Sequence, residues 1–274
     1  MNYKTLMLLP IAIFILAVVY VIWAGFTENI KLDIDLKGGT QVVLESADEV
    51  TSKMIESAAY GYDVHARTAK GVSGWSTIIN IPENSDVKEI LSVLEKSGIP
   101  YSGYSVQTVS TELGKTFFSQ AQFVLIIAFV LMAATIFVIF RQPMPSLYVV
   151  LAGFADIVEA FAISQIFGIE LSLATFAALL LLIGYSVDTN ILLTARVLKD
   201  SGEFSEKVRN SRKTGLTMTA AAIASMVALF LMGSSTVLSQ IASVLTIGLI
   251  ADVMNTWILN VSLLQIYLQK KGAL

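Results

Sequence analysis

Apolar residues gather into six long runs, at about residues 7–25, 117–140, 147–167, 171–195, 217–233 and 238–268. A helix that crosses a bilayer needs about 20 apolar residues, because the hydrocarbon core is about 30 Å thick and each residue rises about 1.5 Å. Each run lies in that range, and the last is long enough to overrun the membrane. The first, preceded by Lys4, has the look of a signal peptide. Signal cores, however, span about 7–15 residues, and this one continues to Trp23. It reads as an uncleaved anchor.

Between the first two runs the periodicity shortens. Residues 41–45 form a β-rich stretch, and Ser46 with Glu49 gives a capping-box start for a helix to about Tyr60. Residues 63–68 and 75–81 predict strands around a turn at 71–74. A second helix, 85–96, stops at Gly98 and Pro100, and 101–109 alternates as a last strand. The order β-α-β-β-α-β is the ferredoxin-like arrangement, and about 90 residues suffice for one small core. His65, Tyr60, Tyr62, Tyr101 and Tyr104 either line a binding face or are ordinary sheet residues. The expected fold is a polytopic α-helical membrane protein with six transmembrane helices and a small α+β ferredoxin-like extracytoplasmic domain between helices 1 and 2. It divides into a first transmembrane helix (1–25), the extracytoplasmic domain (26–116) and a five-helix bundle (117–274).

Composition agrees with a membrane class: of 274 residues, 55% are hydrophobic and 14% charged, against about 25% charged in soluble domains. Lys4, Arg141, Arg196, Lys199, Lys207, Arg209, Arg212, Lys213, Lys270 and Lys271 all fall on one side of the six runs, while turns 168–170 and 234–237 carry no Lys or Arg. The positive-inside rule makes that side cytoplasmic, with both termini, in a multi-pass protein of the cell membrane surrounded by lipid. The 26–116 segment is then outside, with 8 Lys and Arg against 13 Asp and Glu. A net charge of −3 gives no footprint for nucleic acid. Absence of cysteine and a single histidine exclude thiolate and multi-histidine metal sites. No P-loop occurs, and no nucleophile, base and orienting group assemble, so neither a cofactor nor an enzyme is expected.

Four carboxylates interrupt the apolar runs: Asp156 and Glu159 in the third, Asp188 in the fourth and Asp252 in the sixth. Each costs on the order of 2.5–3.5 kcal/mol at a helix centre. Asp156 lies roughly 13 Å into its run and Asp188 roughly 12 Å from the Arg196 edge, with Glu159 nearer the edge of the set. They handle protons or ions, or they only hydrogen-bond neighbouring helices. Gly248, Asp252, Asn255, Thr256 and Asn260 recur at three- and four-residue spacing on one face of the sixth run. Gly184, Ser186, Asp188, Thr189 and Asn190 crowd the fourth, and the fifth opens on Thr214-Gly215-Leu216-Thr217-Met218-Thr219 and three alanines. Small residues allow close helix approach. Spans four, five and six therefore read as the packed, working part, with one and two as the frame.

Asp33-Ile34-Asp35-Leu36-Lys37-Gly38-Gly39-Thr40, after the first run, resembles a signature of the SecD/SecF family of protein-export membrane proteins. Gly184-Tyr185-Ser186-Val187-Asp188-Thr189-Asn190-Ile191 with Arg196 resembles its next motif, and Ile247-Gly248-Leu249-Ile250-Ala251-Asp252 fits as well. The small outer domain and the Gly-Gly-Thr triplet (Gly38, Gly39, Thr40) favour SecF. Asp35-Leu36-Lys37 and Asp188-Thr189-Asn190 are nearer SecD wording, and the mixture resembles the archaeal SecF branch.

The resemblance implies one half of a resistance-nodulation-division-type transporter, paired as a heterodimer with a SecD-like six-span partner. It implies association with a SecY-type translocation channel and use of a proton or ion gradient to promote preprotein export. Asp188 is then the coupling acid, Asp156 and Asp252 further candidates, and Lys213 or Arg212 a basic partner. Gly38 and Gly39 permit a turn where the first helix meets the domain. The alternative is a half-transporter of the same superfamily that exports a small molecule or lipid.

Overall fold

The computed structural model describes residues 6–62, 64–71, 74–83, 85–232 and 236–272. Lys4, Asp63, the middle of the 71–74 turn and the first half of the 234–237 turn lie outside them. Among the described residues six helices are long and apolar enough to cross a membrane.

The first is α1 (Leu8–Phe26). A single turn, α2 (Ile34–Lys37), follows and leads into the sheet domain: β1 (Gly39–Ser46), α3 (Ser52–Ala58), β2 (His65–Gly71), β3 (Gly74–Ile81), α4 (Val87–Lys96) and β4 (Gly103–Val109). The remaining spans are α5 (Thr111–Phe140), α6 (Pro143–Ile166), α7 (Leu173–Lys199) and α8 (Phe204–Met232). The sixth is made of α9 (Thr236–Met254), a π-helical turn (Asn255–Asn260) and α10 (Val261–Lys270).

The sheet has the order β2-β3-β1-β4, and all three pairings are antiparallel, with Val42 opposite both Ile79 and Val106. This is the ferredoxin-like topology expected from the element order. Alternation along β1 sends Val42 and Leu44 into a core shared with Ile79 and Ile81 of β3, Ile55 of α3, and Ile90 and Leu94 of α4. The expected capping box does not form. Ser46 instead ends β1 opposite Trp75, its hydroxyl donates to the Asp48 carbonyl at 2.7 Å, and α3 begins only at Ser52. Strand pairing across the sheet outweighs the local helix signal there.

α5 begins six residues before its apolar run, because Ser110 caps it by accepting from Leu113 N at 3.3 Å. That early turn lies against α2. Gly38, at φ +81°, and Gly114 bring two backbones together, and a Cβ on either would overlap main-chain atoms of the other segment. At the opposite end, Arg141 in the left-handed conformation and Pro143 make the tight reversal into α6.

Within the membrane part, α6, α7 and the sixth span form the interior, around Val149, Ala160, Leu179, Leu182 and Leu245. α8 differs from the expectation that span five is central. It is buried chiefly along Ser211, Gly215 and Thr219, whereas Ala220 and Ala221 face outward. Gly215 sits against the Trp257 ring and Gly248 against Leu182, where a Cβ would collide. The third span fills the place foreseen for the fifth.

Candidate functional site

The interior of the bundle holds a continuous polar network in an otherwise apolar setting. α6 contributes Asp156 and Glu159, one helical turn apart and therefore on one face. α7 contributes Ser186, Thr189 and Asn190, and the sixth span contributes Asp252, Asn255, Thr256 and Asn260. The three acids are fully buried.

Asn255 joins the two α6 acids: its Nδ2 donates to Asp156 Oδ1 at 2.8 Å and to Glu159 Oε2 at 2.9 Å. Ser186 Oγ donates to the other Asp156 oxygen at 2.5 Å. Asp252 accepts from Thr189 Oγ1 at 3.0 Å and from Thr256 Oγ1 at 2.8 Å, and its carboxyl lies within electrostatic reach of Asp156. Asn190 Nδ2 donates to the Ser186 carbonyl at 2.9 Å, and Asn260 Nδ2 donates to Asn190 Oδ1 at 2.6 Å. The donors that reach these carboxyls are hydroxyls and an amide, none of them a cation.

The π-helical turn aligns the last members. Five residues turn about 500° in an α-helix, which would leave Asn255 and Asn260 on different sides. Bonding from i to i+5 widens the turn and returns both to the side facing α6 and α7. Glu159 Oε1, Asn255 Oδ1 and Asn260 Oδ1 accept no hydrogen bond. The network thus has open acceptor capacity.

The sequence candidates separate into three places. Asp156, Asp252, Asn190, Asn255, Thr256 and Asn260 meet in the network. Asp188 does not: two residues from both Ser186 and Asn190, it points about 200° away around the helix. It is exposed with Gly184, Tyr185 and Leu181 on the outward face of α7, and no atom lies within 4 Å of a Cβ on Gly184. Lys213 and Arg212 are likewise exposed, on α8. Asp35, Gly38, Gly39 and Thr40 lie at the root of the sheet domain. There Asp35 accepts from Gln107 at 3.3 Å and Thr40 shares a hydrogen bond with Thr108 at 3.0 Å. Burial and the neighbouring Asp33 push the Asp35 carboxyl above its usual range, with the Gln107 bond opposing them. Glu159 is more central than its position near the edge of the set suggested. Its three-residue spacing from Asp156 carried that signal, whereas the π-turn left none.

Comparison with known proteins shows the family to which this chain belongs. The family profile described as "Protein export membrane protein SecD/SecF, C-terminal" matches residues 89–270. The protein-export membrane protein SecF of Methanolacinia petrolearia is 38% identical over 274 residues, covering 98% of this chain and 95% of its own. SecF of Pyrococcus furiosus is 37% identical, covering 99% of this chain and 93% of its own. The crystal structure of SecDF, a translocon-associated membrane protein from Thermus thermophilus, shares the fold at a TM-score of 0.76 and 21% identity. It covers 98% of this chain, which spans only 38% of that longer one. With the profile over most of its length and SecF relatives along nearly all of it, the chain belongs to the SecD/SecF family of protein-export membrane proteins.

Proposed function

We propose that this chain is the SecF-type half of an ion-coupled auxiliary machine for preprotein export. The observation that carries this reading is the exposure of Asp188 on the outward face of α7, roughly 22 Å along the helix and deep in the apolar span. Lipid solvates a carboxylate poorly there, at a cost of about 2.5–3.5 kcal/mol. A second six-span subunit of SecD type, covering this face, gives Asp188 its surroundings and closes a polar pathway between the two halves. Gly184, with open space before it, allows a partner helix to approach closely.

In this reading Asp188 carries the proton, with Lys213 or Arg212 of α8 as its basic counterpart. The inner network of Asp156, Glu159 and Asp252 responds by exchanging protons among its own members. The basic loops lie in the cytoplasm with both termini, and the sheet domain lies outside, where preprotein emerges from a SecY-type channel. Titration in the span then moves helices, and the helices move the domain.

The test is gradient-stimulated export of a preprotein in membrane vesicles carrying Asp188→Asn. Stimulation is expected to disappear while the protein still inserts and pairs with its partner. Undiminished stimulation removes Asp188 as the coupling acid. Purification of an active small-molecule or lipid exporter free of any SecD-like subunit would overturn the export reading itself.

A further inference from the structure

The sheet domain touches the bundle through a charged junction away from the membrane acids. Glu170 lies in the turn between α6 and α7, and Arg67 lies on β2. Arg67 Nη2 reaches Glu170 Oε2 at 2.7 Å, with side-chain exposures of 32% and 14%. Asn80 Nδ2, on neighbouring β3, lies 3.5 Å from the same oxygen, and Asn80 Oδ1 accepts from Gln41 Nε2 at 3.0 Å. Lys37 and His65 add positive potential at Glu170, and Asp33 adds negative.

The turn itself is tied to the segment that leads into the domain. Gln165, near the end of α6, accepts from Lys31 N at 2.8 Å and donates to the Ile169 carbonyl at 3.1 Å. Leu171 N donates to the Lys31 carbonyl at 2.7 Å, and Asp33 N donates to the Leu171 carbonyl at 2.8 Å. Backbone bonds thus hold one side of the turn. The Arg67–Glu170 pair lies on the other side, against the body of the sheet.

We propose that Arg67 is a positioning residue that keeps the sheet fastened to the α6–α7 turn by compensating the largely buried Glu170 carboxylate, so that displacement of either helix is handed to the domain. The handing-on rests on the coupling role proposed above, whereas the fastening does not. Burial raises the Glu170 carboxyl above its usual range, and Arg67 is the largest influence opposing it. Loss of Arg67 strands a largely buried carboxylate, while loss of the Glu170 charge removes the cost of burying it. The two partners therefore have unequal effects. Because the raised carboxyl binds its proton more tightly when docked, docking strengthens as pH falls and loosens as pH rises through the Glu170 value.

Full-length protein in lipid nanodiscs provides the test. The chain has no cysteine, so nitroxides on Lys88→Cys and Ile166→Cys, both at exposed positions, report the distance between domain and bundle. Arg67→Gln is expected to lower the ratio of docked to undocked protein about tenfold, equivalent to about 1.4 kcal/mol. Glu170→Gln is expected to keep the docked distance and remove its pH dependence. The double variant Arg67→Gln/Glu170→Gln is expected to return to the docked distance. An unchanged distribution in Arg67→Gln, or a double variant as loose as Arg67→Gln, overturns the fastening. In export vesicles, Arg67→Gln should slow gradient-stimulated export and the double variant restore it. Export that ignores this pair while the distances follow it overturns the handing-on. Export by the unaltered protein that ignores the gradient instead removes the coupling reading, and the distances still judge the fastening.

Discussion

The two faces of α7 solve opposite problems within seven residues. Ser186, Thr189 and Asn190 point inward, where the buried carboxyls are held by hydroxyl or amide donors from two spans, α7 and the sixth. Gly184, Tyr185 and Asp188 point outward, and Asp188 makes no hydrogen bond or ion pair among the described residues. The inner face is hydrogen-bonded within one chain, with a few acceptors to spare, and Asp188 on the outer face is not. Polar residues in a span therefore have to be sorted by direction before they are assigned a task.

The most damaging way to test that contrast is to remove the inner donor shared by two acids. Asn255→Leu leaves Asp156 and Glu159 without their common amide and is expected to cost about 3 kcal/mol. Asp188→Leu on the outer face is expected to change stability of the isolated chain by less than about 0.5 kcal/mol. Thermal unfolding of both variants in the same detergent decides it, and equal losses would erase the distinction between the faces.

A smaller effect comes from a pair of glycines. Gly248→Ala forces a methyl against Leu182 and should cost about 1–3 kcal/mol by overpacking. Gly184→Ala meets open space and should stabilise the chain by up to about 1 kcal/mol through helix propensity. Opposite shifts in melting temperature are expected; in a complex with a partner subunit, Gly184→Ala should lose that gain.

The smallest effect belongs to pH. Asp35 and Glu170, at the base of the sheet domain, are both raised, chiefly by burial. Their contribution is fully present below the ordinary carboxyl range of about 4 and is lost as pH rises through the raised values. Amide exchange near Leu36 and Leu171, corrected for intrinsic rate, is expected to slow modestly between pH 7.5 and 5.5. A faster rate at the lower pH would reverse the sign.

The sheet domain was legible because Val42, Leu44, Ile79 and Ile81 alternate and Gly98 and Pro100 stop a helix, all local signals. Ser46 misled because a hydroxyl three residues before Glu49 has the same appearance whether it caps a helix or ends a strand, and only pairing with Trp75 decides between them. Asp252, Asn255 and Thr256 were readable as one stripe from their spacing. Asn260, four residues past Thr256, was in that stripe as well, but the π-turn that brings it round beside Asn255 depends on tertiary contacts with α6 and α7 that no spacing encodes. Asp188 and Ser186 are two residues apart, so their opposite directions were present in the helical period. The helix they would face was not, because small residues favour close approach without naming the neighbour, and the third span rather than the fifth took that place.

The backbone contact between Gly38 and Gly114 has a mechanical consequence. The chain arrives at the sheet domain and departs from it at one spot, so its covalent mounting is a single pivot, with the Arg67–Glu170 contact standing away from it. A body mounted in this way swings more readily than it slides, and small displacements far from the pivot become turning moments. A side chain at either glycine would wedge the pivot open and exchange a defined axis for a loose tether.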